Sequence, residues 1–157
     1  MASAAQAPTG QVNILNISRG FDTGGQGWRI YDAFRRLTDW NLRSMYRPNA
    51  FLYLDYPADL AWDAEIARQL YAEADVVHLH NGFGTAQIIE RWGKRKPAVV
   101  HYHGTAFRQN PLAHLSQQRQ RGALGIVSTL DLLLISPNEL EWLPSPYNLE
   151  MLRDLRS

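Results

Sequence analysis

The feature that most constrains this chain is a regular alternation of short β-branched segments with amphipathic helical segments. Segments 12–18 (VNILNIS) and 123–128 (ALGIVS) have the length and composition of buried strands. In segment 28–37, apolar residues recur at three- and four-residue steps, which is the pattern of an amphipathic helix. Because strands and helices alternate throughout, the sequence predicts a single-domain α/β fold. This fold is Rossmann-like and doubly wound, with a mostly parallel sheet and helices on both faces.

The predicted elements cover most of the chain. Strands are predicted at 12–18, 41–46, 51–56, 75–81, 98–103, 123–128 and 139–143. Helices are predicted at 28–37, 63–74, 85–92, 110–121 and 148–155, with a single turn at 130–135. The expected organisation is a flexible tail at 1–11, one domain at 12–147 and a terminal helix at 148–157.

Composition narrows the classes of protein to consider. The chain has 157 residues, of which 45% are hydrophobic, and a net charge of +1, as expected for one soluble domain rather than a general nucleic-acid binder. It has no cysteine, which excludes a disulfide scaffold, a cysteine nucleophile and an iron–sulfur site. The longest apolar run, 132–135, is far too short for a membrane helix, and the start lacks signal-peptide character. We therefore expect no transmembrane segment and a cytoplasmic protein.

A glycine-rich loop follows the first predicted strand. Gly24, Gly25 and Gly27 lie at the start of the first predicted helix. Glycines at a helix N-terminus allow close approach to a phosphate, which unpaired N–H groups can bind. The loop matches neither G-x-x-x-x-G-K-[ST] nor G-x-G-x-x-G, so both a phosphate contact and a tight βα turn stay open.

Four of the five histidines form two H-x-H pairs at the ends of predicted strands. His78 and His80 end one strand, and His101 and His103 end another. Residues two apart on a strand face the same way, so each pair points to one side of the carboxyl edge. A general base, a polar clamp on a substrate and a metal site are all open, although no H-E-x-x-H occurs. The deeper His78 and His101 suit hydrogen-bonded core positions, whereas His103 suits a functional one.

Basic residues near this edge are few. Arg108 follows the His103 strand on the predicted cleft side, where it would meet an anionic substrate or simply face solvent. The Lys94–Lys96 run lies at the opposite edge and is typical of a solvated turn.

These motifs occur in an order that resembles a known family. After the Gly-Gly loop come DVVHLH at 75–80, PAVVHYHGT at 97–105, IVST at 126–129 and WLPSP at 142–146. The series resembles the N-terminal domain of GT-B glycosyltransferases, specifically the retaining family-4-like group. The resemblance covers about residues 12–147, and it depends on the order and spacing of motifs that are individually weak.

The resemblance implies a Rossmann-like acceptor domain that pairs with a second, donor domain, with the active site between them. It implies that Gly24 and Gly25 lie near the phosphates of a nucleotide-sugar donor. It also implies that His103, which matches the histidine ending the HG strand, lies near the transferred sugar.

By the same resemblance, His80, Asn81 and Thr105 line the acceptor side. The predicted site residues are catalytic His103 with substrate-binding Gly24, Gly25, His80, Asn81, Gly104, Thr105 and Arg108, and no metal ligand. The nucleotide sugar is a co-substrate, and no other cofactor is expected.

The sequence departs from the family in two places. It lacks the donor domain with its E-x-x-x-x-x-x-x-E motif, and 143–148 reads LPSPYN where the family has a P-N-x-V-D form. The leading hypothesis is therefore the acceptor-side half of a glycosyltransferase, transferring sugar to a glycan or small-molecule acceptor. A donor domain in trans or a homodimer would complete it. The alternatives are a non-enzymatic binding module derived from such a domain and, more weakly, a metal-dependent hydrolase that uses the H-x-H pairs.

Overall fold

The computed structural model describes residues 11–21, 25–47 and 59–146. Within them lies one all-parallel, seven-stranded sheet of order β3-β2-β1-β4-β5-β6-β7. The strands are β1 (Asn13–Phe21), β2 (Asn41–Arg47), β3 (Leu60–Ala61), β4 (Val76–His80), β5 (Ala98–Tyr102), β6 (Leu124–Val127) and β7 (Leu140–Trp142). The Rossmann-like α/β fold and the single domain are confirmed.

Helices connect the strands on both faces of the sheet. They are α1 (Gln26–Leu37), α2 (Ala64–Glu73), α3 (Ala86–Ile89), α4 (Gly104–Gln109), α5 (Pro111–Arg121) and α6 (Leu130–Leu133), with a 3-10 turn at Glu90–Trp92. None of the helices in the described ranges is long and apolar enough to cross a bilayer.

Local sequence explains where the longer helices begin and end. The Asp63 carboxylate accepts hydrogen bonds of 2.9 Å from the backbone N–H groups of Glu65 and Ile66, which caps α2. Pro111 occupies the first turn of α5, and Gly122 ends that helix in the left-handed region at φ 60°.

The structure differs from the sequence prediction at several elements. The predicted helix at 85–92 is an α-helical turn followed by a 3-10 turn, and the six-residue α4 and two-residue β3 were not predicted. Elements this short carry too few residues to show a period. The predicted strand at 51–56, the helix at 148–157 and all of the 1–11 tail except Gln11 lie outside the described residues.

The two faces of the sheet have different compositions because alternate strand residues point to opposite sides. On the first, which we call the core face, buried apolar residues of the strands cluster with residues from the five helices α2 to α6. Representative members are Leu15, Leu79, Val100, Tyr71 and Leu115.

On the second, which we call the polar face, α1 packs its Ile30 against Ile14 and Leu42 at the amino ends of the strands. Towards the carboxyl ends the same face carries polar side chains. These are Ser44 on β2, Asn16 on β1, His78 and His80 on β4, His101 and His103 on and after β5, and Ser128 after β6.

Candidate functional site

A cleft lies where the strand order reverses, between β1 and β4, at the carboxyl ends of the strands. Its enclosed space is about 10 Å³, room for a single water molecule, and above this the cleft opens to solvent. Its wall includes Asn16, Gly27, Ser44, His80 and His103. Open parallel sheets bind ligands at such a reversal, because the flanking loops diverge there and leave a crevice.

Strand register brings the two H-x-H pairs together. His80 and His101 are neighbours across β4 and β5, which places all four rings on the polar face. The inner residues His78 and His101 are 5% and 0% exposed, whereas His80 and His103 are partly exposed and line the cleft. Each pair thus supplies one buried ring and one ring at the cleft.

A hydrogen-bonded chain ties the cleft histidines to the neighbouring strands. The Asn16 side-chain amide donates to the Gly27 carbonyl oxygen at 3.0 Å and to Ser44 Oγ at 2.9 Å. Asn16 Oδ1 lies 2.5 Å from His80 Nε2, and His80 Nδ1 lies 2.8 Å from His103 Nε2. The chain connects β2, β1 and β4 to the end of β5.

The His80 and His103 rings meet edge to edge. Their planes are inclined by 12° and their centroids are 5.1 Å apart, while the facing nitrogens are only 2.8 Å apart. Stacked rings keep their atoms about 3.5 Å or more apart, so the shorter distance is that of an in-plane hydrogen bond.

The inner histidines are packed more tightly. The His101 ring lies against that of His103, with centroids 4.2 Å apart, and its Nε2 is 2.5 Å from Ser128 Oγ. His101 Nδ1 and His78 Nε2 are buried and have no hydrogen-bond partner among the described residues. Protonating either ring would place a charge in a buried position, where the contacts with water that stabilise such a charge are largely lost.

Burial keeps the four rings neutral near pH 7. It lowers the pKa of His78 to about 3 and that of His103 to about 4, with the charge of His103 adding to the effect on His78. Burial is also the main reason that the pKa values of His80 and His101 lie well below the ordinary value for histidine. The cluster therefore offers lone pairs and N–H groups to a ligand rather than positive charge.

Three of these rings form the one group of potential metal ligands found in the described ranges. His80, His101 and His103 each place a ring nitrogen within 4.8 Å of the others. Two nitrogens bound to one tetrahedral zinc lie about 3.3 Å apart, and their lone pairs converge on the ion. In the 2.8 Å edge-to-edge contact of His80 with His103, the two facing nitrogens are instead joined by a hydrogen bond. As the side chains stand, the cluster is a hydrogen-bonded network.

The N-terminus of α1 lies beside this network. Gly25 precedes the helix with φ 67°, a conformation that favours glycine, and the first turn carries no acidic residue. Gly27 lines the cleft. An anion at this end of the cleft would meet the positive end of a twelve-residue helix. Gly24 lies outside the described residues.

The remaining predicted residues lie near the cleft or beyond it. Asn81 lines the cleft in the left-handed conformation, at φ 58°. Gly104 begins α4 at φ 39°, and Thr105 follows it on the exposed side. Arg108 is exposed, and its guanidinium donates to Asp131 at 3.0 and 2.5 Å. The structure thus brings together His80, Asn81 and His103, while Thr105 and Arg108 are not among the residues that line the cleft.

Sequence reasoning missed Asn16 and Ser44, which complete the network. Both are fully buried polar residues inside otherwise apolar strand segments. A polar residue at an inward position of a buried strand needs a hydrogen-bond partner, and this was the signal available to find them. Comparisons with protein-family models, curated proteins and solved structures found no match to this chain, so the chemistry of the cleft is known from its own residues.

Proposed function

We propose that this chain provides the acceptor-side half of a glycosyl-transfer site. It binds a nucleotide sugar and a hydroxylated acceptor over the carboxyl edge of the sheet, where the cleft between β1 and β4 opens to solvent, and a donor domain from a partner chain or a second copy completes the site. The observation that supports this most is the neutral, hydrogen-bonded His80–His103 pair beside the N-terminus of α1.

The cleft supplies two different chemical environments to such a ligand. The α1 N-terminus suits the diphosphate because the positive end of the helix dipole favours negative charge and the first turn carries no acidic residue. The neutral imidazoles suit sugar hydroxyls, which both donate and accept hydrogen bonds. In the transfer, the bond from the anomeric carbon to the phosphate oxygen breaks and a bond to the acceptor oxygen forms. The nucleoside diphosphate leaves and takes up the proton of the acceptor hydroxyl.

Thermal unfolding with and without ligand tests the proposal. UDP-glucose and GDP-mannose serve as probes, and binding of either stabilises the folded state by about 2.7 kcal/mol when free ligand is about 100 times Kd. We expect His103→Ala to remove the shift. His114→Gln should keep it, since His114 packs against Tyr102 and Phe107 rather than at the cleft.

The same thermal-unfolding experiment distinguishes the proposed transferase half from a non-enzymatic binding module. A shift with a free oligosaccharide but with no nucleotide sugar would support a non-enzymatic sugar-binding domain. No shift with any of these probes would contradict both. Light scattering then reports whether the ligand-bound protein is a dimer, and transferase activity in that sample alone would identify a second copy as the completing partner.

The three-histidine group favours one other candidate, a metal-dependent hydrolase. Metal binding would have to break the His80–His103 hydrogen bond and turn both rings towards the ion. Elemental analysis after dialysis against zinc or manganese decides this. One equivalent of retained metal that is lost in His101→Ala would support it, and metal-free protein would end it.

The proposal also includes a cytoplasmic location. Nucleotide sugars and the absence of cysteine from the sequence are both compatible with a reducing compartment.

A further inference from the structure

We propose that Asn16 is a positioning residue that fixes which nitrogen of His103 carries a proton. Through His80 it leaves His103 Nδ1 as a hydrogen-bond acceptor, so that the ligand group meeting this ring is a donor such as a sugar hydroxyl. The assignment of protons concerns the free protein, and only its consequence for the ligand rests on the proposed function.

The orientation of the Asn16 amide is set by a backbone carbonyl. The Gly27 oxygen can only accept, so the atom 3.0 Å from it must be the amide nitrogen of Asn16. The same nitrogen donates its second proton to Ser44 Oγ, which lies 2.9 Å away. The other side-chain atom, facing His80, is therefore the carbonyl oxygen.

That oxygen determines the tautomer of His80. Asn16 Oδ1 has only lone pairs, so His80 Nε2, at 2.5 Å, must carry the proton and donate it. A neutral imidazole has one N–H group, so His80 Nδ1 is unprotonated and accepts a hydrogen bond. Asn16 is 1% exposed, and both of its side-chain polar atoms have partners within the protein.

The unprotonated Nδ1 of His80 then determines the tautomer of His103. His103 Nε2 lies 2.8 Å from His80 Nδ1 and must donate to it. In the neutral ring, Nδ1 of His103 is then without a proton. The His103 side chain does not cap α4, so Nδ1 makes no hydrogen bond to the N–H groups of that helix start.

Both rings must be neutral for this assignment, and burial lowers the pKa of each below the ordinary value of 6.5. Had His80 been cationic, its Nδ1–H would donate to His103 and reverse the direction of the chain.

The fixed direction selects the ligand group. A phosphate oxygen facing His103 Nδ1 would set two acceptors against each other, whereas a hydroxyl supplies the missing proton. Within the cleft, the histidine side is therefore selective for hydroxyl-bearing ligands, and it leaves anionic groups to the end formed by α1 and Gly27.

Nitrogen-15 NMR of histidine-labelled protein tests the assignment without any ligand. At about pH 7.5, two- and three-bond couplings distinguish Nε2–H from Nδ1–H tautomers in neutral rings. We expect both His80 and His103 to be Nε2–H in the unsubstituted protein. A dominant Nδ1–H form at either residue would overturn the proposal.

Substitutions distinguish a role of Asn16 in positioning the histidine protons from a role in stabilising the fold. Asn16→Leu removes the acceptor, and we expect His80 and His103 to become mixtures of tautomers. Asn16→Asp places a carboxylate beside His80 Nε2, which favours a cationic His80, and we expect the Nδ1–H of that ring to donate to His103 and convert His103 to the Nδ1–H form. Ser44→Ala is the matched control, because it removes a bond to the same amide but leaves the Gly27 contact that orients it.

Each outcome is decisive. Unchanged tautomers in folded Asn16→Leu would overturn the proposal, as would loss of the Nε2–H form in Ser44→Ala. If Asn16→Leu does not fold, the unsubstituted protein and Asn16→Asp still carry the test. If nucleotide sugars fail to bind but the tautomers are as expected, the proposed function fails and the role of Asn16 stands.

Discussion

On the core face of the sheet, alternate residues of β1, β4 and β5 are apolar and cluster with residues of the five helices α2 to α6. On the polar face, these strands and their neighbours β2 and β6 carry a network of amides, hydroxyls and imidazoles. The core face gains stability from area removed from water, which is non-directional. The polar face depends on directed hydrogen bonds, in which each group must match its neighbour. Changes on the core face should therefore alter stability, and changes on the polar face should alter protonation and binding.

The largest effect is expected on the core face, at Phe83. This ring is 2% exposed in the main cluster, and the Arg121 guanidinium lies over it, 5.1 Å from its centroid. Phe83→Ala should lower the free energy of unfolding by about 3–5 kcal/mol, from lost burial and the cavity left behind. Urea denaturation measures this. If the surviving folded protein showed altered histidine tautomers, the two faces would not be independent.

A smaller loss is expected where the core face has no room for a side chain. A Cβ on Gly125 would lie 2.2 Å from Gln118 Oε1, the side-chain end of a buried residue. Gly125→Ala should cost up to about 3 kcal/mol through overpacking. In a Gln118→Ala background the same change should cost much less, and a double-mutant cycle measures the difference. Equal costs in both backgrounds would rule out the clash as the cause.

On the polar face, the comparable effect depends on pH. The folded-state pKa of His78 is about 3, below its ordinary value of 6.5, so the unfolded chain binds a proton more readily. The contribution of neutral His78 to the free energy of unfolding is therefore fully present above about pH 6.5, and it is lost as the pH falls towards 3. His78→Leu should reduce the loss at pH 4.5 by about 2 kcal/mol relative to the unsubstituted protein.

Urea denaturation between pH 7.5 and 4.5 measures this effect. Ser44→Ala is the control, because it alters the same face without removing a titratable group, and its effect should be independent of pH. If the free energy of unfolding of His78→Leu fell as steeply between pH 7.5 and 4.5 as that of the unsubstituted protein, His78 could not be buried and neutral.

The sequence predicted the core face better than the polar face, and the reason is physical. Strand periods and helix periods are local, so they identified the parallel sheet and put each H-x-H pair on one side. The contact of Asn16 with His80 depends on how β1 and β4 align, and no single strand encodes that register. The link from His80 to His103 similarly requires the pairing of β4 with β5.

The smallest effect on stability is expected at Arg108. Variants at this residue and its partner test ligand binding directly. Its ion pair with Asp131 is about half exposed on both sides, so Asp131→Asn should leave the urea midpoint unchanged. The hydrogen bonds to the Thr129 hydroxyl and to Arg108 lower the pKa of Asp131, which therefore stays charged and holds the guanidinium at neutral pH.

Removing that charge frees Arg108 for an anionic ligand. If Arg108 contacts the nucleotide sugar, Asp131→Asn should strengthen binding of UDP-glucose several-fold, and Arg108→Ala should weaken it, as measured by calorimetry at two salt concentrations. The gain should shrink at higher salt, because exposed charges are screened. Equal affinities in all three proteins would assign Arg108 to the surface of α4 and leave the residues that line the cleft as the candidates for ligand recognition.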